Sequence, residues 1–263
     1  MGDVNGNFTM IVNEVSNIIA DNLFNIEHEI EESGRKEELI GLQRIATVAQ
    51  LTSESTIILV SEEKVFDAEI LLRVVLEGTV KMIYMSIGDE EERKLKSQEF
   101  WHTMAKIDKL KKSIKVKTLI ETFPIYKETA LGEYLELDRD IDDFQKITNR
   151  KFRKDIENKW SFNKMIEDIS NNSEEWKDLK SISLTYNQSS NLTHMDSISI
   201  GMIIDRMIRP ELQVDHMYKI LSHVLILSEF RLKSVYSILG KEFKRNERTF
   251  NLLNLVEEVI NNK

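Results

Sequence analysis

The sequence predicts an all-α, multi-helix bundle, and three observations carry that reading. Apolar residues recur at helical spacing along nearly the whole chain. Only nine glycines and two prolines, Pro124 and Pro210, punctuate 263 residues, too few for the tight turns of an all-β fold. Strand-like and helix-like segments do not alternate as βαβ units require. The length suits one large domain or two small ones, with enough chain to bury a sizeable core, and the expectation is a single helical domain over 1–263.

Each helix has its own signature. Phe8 to Glu32 carries Ile11, Val15, Ile18, Ile19, Leu23 and Ile26, an amphipathic stripe that stops at Ser33-Gly34. A second helix, Glu37 to Val60, places Leu39, Leu42, Ile45, Ala46, Ala49, Ile57 and Ile58 at the same period. The turn Ser61 to Lys64 offers Ser61 as a cap for the third helix, Lys64 to Ile87. That third helix is apolar over more of its circumference, which marks it as central.

Gly88-Asp89 opens a charged helix to about Ser113. Beyond Pro124 the apolar residues thin to Leu131, Leu135, Ile141, Phe144 and Ile147, so 126–158 reads as one peripheral polar helix or a helix pair. A peripheral insertion over 115–160 follows from that composition. Trp160 to Ile169 is a short segment, and Ser173 begins a helix that carries Tyr186 and His194. After the turn at Met195 to Ser197, a brief helix ends before Pro210. A strongly apolar helix spans Glu211 to Leu239 and breaks at Gly240. An amphipathic helix over Glu242 to Ile260 closes the chain.

Composition narrows the chemistry. The chain has no cysteine, which removes disulfides, thiolate metal sites and cysteine nucleophiles. The polar start, Met1 to Asn7, lacks the regions of a signal peptide, and the longest apolar runs fall far short of a membrane span. The expectation is therefore a cytoplasmic protein without membrane contact, in which the Asn-x-Ser/Thr triplets at Asn7, Asn187 and Asn191 are coincidences.

A formal net charge of −9 argues against nucleic-acid binding over the whole surface. Basic runs stand out all the same. Lys106, Lys109, Lys111, Lys112, Lys115 and Lys117 form one, Lys146, Arg150, Lys151, Arg153 and Lys154 a second, and Lys241, Lys244, Arg245 and Arg248 a third. They read as solvated helix faces, or as a patch that tracks a phosphate backbone.

Two polar constellations interrupt apolar surroundings. Tyr186, Ser190 and His194 lie four residues apart, on one side of a helix. Arg73 and Glu77 have the same spacing inside Ile70-Leu-Leu-Arg-Val-Val-Leu-Glu77. Charges among residues that bury need partners, so the two sets are expected to meet. As a reactive site, His194 supplies a proton-transfer group near neutrality, and Arg73 a planar cation for a phosphate. Glu77 then orients Arg73, while Ser190 and Tyr186 orient His194 or bind a phosphate oxygen, and Asn191 adds a binding group. As a scaffold, Arg73 and Glu77 pair within their helix, Glu77 or Ser190 binds His194, and the network fixes helix register.

Three segments in order, Ala68 to Glu77, Trp160-Ser161 with Met165 to Ile169, and Tyr186 to His194, resemble the bacterial domain-of-unknown-function family 5677. The similarity extends over 37–239 and places the chain near the HEPN superfamily. That resemblance implies a HEPN-like helical core with peripheral helices, homodimerisation, and a role in bacterial defence or as a toxin. It further implies metal-independent cleavage of RNA, with no cofactor and a protein antidote or partner. The superfamily's motif has an Arg, often followed by Asn, and then a His. Here His194 takes the histidine position, while Ser189 and Ser190 stand at the other two.

Other patterns are weaker. His216 and His223, seven apart with Asp215 beside the first, lack the spacing of a helical metal site. Trp101-His102 reads as packing, and Met82, Met85, Met202 and Met207 as core filler. Glycine-rich phosphate loops, nucleophile elbows and HExxH motifs are absent from the sequence.

Overall fold

A computed structural model describes residues 4–129, 139–181, 186–187, 190, 192–194 and 196–261. The described residues form an all-α, multi-helix bundle. In chain order they are α1 (Val4–Glu32), α2 (Lys36–Ser61), α3 (Val65–Ser86), α4 (Glu90–Gln98), a π-helical stretch Glu99–Met104, and α5 (Ala105–Thr122). A 3₁₀ turn over Pro124–Glu128 follows, then α6 (Arg139–Ile147), α7 (Arg150–Lys159), α8 (Phe162–Asn172) and a 3₁₀ helix Glu174–Ser181. The chain ends with α9 (Ser197–Ile208), α10 (Pro210–Ile238) and α11 (Glu247–Asn261). It divides into two compact units, one from 1–87 with 166–263, the other from 88–165, and the second boundary falls inside α8.

The first unit is built on α1, α2, α3 and α10, which pack on one another, with α9 and α11 against α10. Helix α1 buries Ile11, Val15, Ile18, Ile19, Ile26 and Ile30 along a single stripe. Helix α3 buries Val65, Ala68, Leu72, Val75, Leu76, Val80, Met82 and Ile83, a band too wide for one partner, and α2 and α10 cover it. Removing each of these side chains larger than Ala68 from water contributes about 1.5–3 kcal/mol. Trp176 of the second 3₁₀ helix meets Phe230 of α10 edge to face at 5.5 Å.

Local chemistry sets the helix ends. Helix α10 stops in a Schellman turn. Gly240, at φ +67°, donates to the Ser237 carbonyl, and Lys241 donates to that of Tyr236. The expected cap at Ser61 does not form. Ser61 is the last residue of α2 and donates to the Ile57 carbonyl, while α3 starts after Lys64 with no side-chain cap. The closing helix begins at Glu247 rather than Glu242. Lys241 and Arg245 are drawn to Glu29 and Glu229, and Asn246 caps the Arg248 amide at 2.9 Å.

In the second unit Asp89 caps α4 by accepting from the Glu92 amide at 2.9 Å. The charged helix continues past Ser113 to Thr122, interrupted only in hydrogen-bond pattern by the π stretch. Glu99 in that stretch accepts from Lys159 at 2.7 Å and from the Trp160 indole at 3.1 Å. Helices α6 and α7 are separate, parted where Asn149 accepts from the Phe152 amide at 2.8 Å, and α6 packs on α5 while α7 packs on the π-helical stretch.

Candidate functional site

Helix α3 presents four charges in a row at four-residue intervals, Glu69, Arg73, Glu77 and Lys81, alternating in sign. Each is one helical turn, about 5.4 Å, from the next. They divide into two clusters, each completed by residues from far along the chain.

Arg73 anchors the first. Its Nε lies 3.3 Å from Glu77 Oε1, its Nη2 donates to the Tyr186 hydroxyl at 3.0 Å, and its Nη1 donates to Thr193 Oγ1 at 3.4 Å. The guanidinium carbon sits 4.8 Å from the centre of the Tyr186 ring, a cation–π contact. The Tyr186 hydroxyl in turn donates to Glu77 Oε1 at 3.0 Å. Burial, aided by Glu77 and opposed by Arg73, pushes the phenol's pKa up, so it remains a donor. Lys81 lies 3.9 Å from the second Glu77 oxygen. The Arg73 side chain is 21% exposed and that of Glu77 33%, so solvent reaches this cluster.

Glu69, one turn earlier, anchors the second. The residue is 2% exposed, and its Oε2 receives both His216 Nε2 at 2.7 Å and Arg206 Nη1 at 3.2 Å. Burial alone would raise this carboxyl's pKa. The hydrogen bond and charge of His216, with Arg206, outweigh it and hold the group below the usual glutamate value. Arg206 also lies 5.5 Å from the centre of the Phe66 ring. His223, two turns beyond His216, is pushed below the ordinary histidine value by burial and by His216. That favours its neutral form.

Of the residues singled out in the sequence, Arg73, Glu77 and Tyr186 come together. Ser190 is half-buried and His194 exposed, and among the described residues no hydrogen bond joins either one to Arg73 or Glu77. His194 instead acts on Asp196, adding to the Ser199 hydrogen bonds that hold that carboxyl below its usual value. Asn191 lies outside the described residues. Thr193 was not singled out, although its seven-residue distance from Tyr186 puts both on one line of a helix. Glu69 and Arg206 also escaped notice. The signal for Glu69 was its place in the i, i+4 series with Arg73 and Glu77.

The basic run near the carboxyl end is largely spent on carboxylates. Lys241 pairs with Glu29, Arg245 with Glu229, and Arg248 with Glu14 and Asp21. Among the described residues no group of three or more His, Asp or Glu side chains is placed to hold a metal ion, and no helix is long and apolar enough to cross a membrane.

No curated protein and no solved structure matches the chain. A family model does match residues 41–207, a stretch that contains α3, Tyr186, Thr193 and Arg206. The chain belongs to the family of unknown function DUF5677.

Proposed function

We propose that this helical protein is HEPN-like and serves bacterial defence, or acts as a toxin, by cutting RNA without a metal or cofactor. The observation that carries the reading is the Arg73 guanidinium, partly open to solvent, fixed by Glu77 and stacked on Tyr186. A fixed planar cation suits a phosphate, whose oxygens match its forked donors. Thr193 touches that cation, and its neighbour His194 is exposed. In the proposed reaction His194 takes the 2′-hydroxyl proton, the 2′-oxygen attacks phosphorus, and the 5′-oxygen leaves and is protonated by water. Arg73 and Tyr186 hold the phosphate, Glu77 positions Arg73, and Ser190 and Asn191 complete the contacts.

The reading extends to the molecule's setting. The protein works in the cytoplasm as one domain over 1–263, with its core at 37–239 and 115–160 as a peripheral insertion. It forms a homodimer, and a protein antidote or partner restrains it. Exposed Ile198, Ile204, Met207 and Ile208 on α9 support the dimer.

A second reading, a non-catalytic helical module that binds a protein or nucleotide, is favoured by one observation. Arg73 Nε, Nη1 and Nη2 all have internal partners, as in a network whose task is to hold helices in register. Cleavage of a mixed RNA pool by the purified protein separates the two. The nuclease reading expects cleavage that His194→Ala lowers by about 10²-fold or more with an unchanged circular dichroism spectrum. Arg73→Lys is expected to lower it roughly tenfold, since the charge stays and the fork is lost. An inert wild type, or a fully active His194→Ala, leaves the scaffold.

A further inference from the structure

His216 and Arg206 come from different helices, α10 and α9, yet both donate to the same oxygen of Glu69. That shared atom consumes one ring nitrogen of the histidine and one terminal nitrogen of the arginine. Among the described residues, His216 Nδ1 and Arg206 Nε and Nη2 have no hydrogen-bond partner. They are not sealed in, because the Arg206 side chain is 12% exposed and that of His216 17%. A carboxylate that is almost wholly buried thus holds a cation and an imidazole in fixed positions, each with unused hydrogen-bonding capacity.

Such an arrangement is costly unless something uses it. Two cationic side chains that converge on one carboxylate oxygen leave local positive charge to spare whenever the histidine is protonated. The unused Arg206 nitrogens form a planar fork, the geometry that matches two oxygens of one phosphoryl group. Beside it, His216 Nδ1 donates to an oxyanion when protonated, and accepts from a phosphate O–H or a ribose hydroxyl when neutral. The stacking of Arg206 on Phe66 limits how far the fork can swing.

We propose that Arg206 and His216, positioned by Glu69, form a second phosphoryl-binding subsite, one α3 turn from Arg73. In RNA it would hold the phosphate next to the one at Arg73. Only the identity of RNA as ligand rests on the function proposed above. Binding of the oxyanion itself does not.

The test uses the full chain labelled with ¹⁵N-histidine and titrated with inorganic phosphate. The ring resonances of His216 should move along a saturable curve, and Arg206→Met should weaken binding about tenfold or more. Glu69→Gln should redistribute the ring proton of His216 between its two nitrogens, which loss of packing alone would not do. In parallel, binding of a short single-stranded RNA is followed against salt, and Arg206→Met should reduce the salt slope by about one phosphate contact. An unmoved His216 on phosphate addition, or equal movement in Arg206→Met, overturns the subsite whatever happens with RNA. A phosphate response that depends on Arg206, in a protein that neither binds nor cuts RNA, sustains the subsite and removes RNA as its ligand.

Discussion

Arg231 is 1% exposed in α10, where its Nη1 donates to Thr79 Oγ1 at 3.2 Å. Among the described residues no carboxylate pairs with it, and burial pushes its pKa down to about 9. A lone cation in a core costs more than the single hydrogen bond to a hydroxyl returns. Arg231→Met, similar in length and apolar, should therefore stabilise the fold by about 1–4 kcal/mol, seen as a higher urea midpoint at unchanged m-value. A lower midpoint would mean that the guanidinium contributes contacts beyond Thr79. Arg73 presents the opposite case, since its charge is balanced within its own helix and its ring partner comes from Tyr186.

Two elements permit quantitative expectations. At the end of α10, a Cβ on Gly240 would meet nothing within 4 Å, so Gly240→Ala tests conformation alone. It should cost about 1–2 kcal/mol through the left-handed backbone, read as a lower Tm. The seam where α3 meets α10 should weaken in acid. His223, depressed below its ordinary 6.5, leaves the unfolded chain holding more protons as pH falls below that value, so stability declines there. Glu69, held below its ordinary 4.5, adds a second decline as pH drops through that range towards its folded value. Tm measured from pH 7 to 4 should show both steps, and His223→Leu should remove only the first.

The same elements show how far periodicity reaches. The helices of the 1–87 segment and α10 were legible to within a few residues, because a broad apolar stripe leaves few alternatives. The stretch after Ser173 was not. It opens as a 3₁₀ helix around Trp176, whose ring docks on Phe230, a contact more than fifty residues away that no local pattern announces. The meeting of Arg73 with Tyr186 was foreseeable from the cost of burying charge. The Glu69 cluster was not, because Arg206 and His216 stand on separate helices and only folding brings them to one oxygen.

For the molecule as a whole, the apolar surface of α9 carries the expectation of self-association. Met207 and Ile208 are 71% and 73% exposed, so replacing both with Asp should leave the monomer fold intact while shifting sedimentation from dimer to monomer. Wild type that sediments as a monomer at every concentration would remove the dimer. Chain order has another consequence. The helices α1–α3 bury their faces on α10, which starts at Pro210, whereas 88–165 makes its contacts within one uninterrupted stretch. During synthesis, the apolar sides of the first three helices therefore wait on the order of ten seconds for their last partner to leave the ribosome. Over that interval the nascent protein must either pair those helices with one another or hand them to a chaperone, and the contiguous stretch can close first.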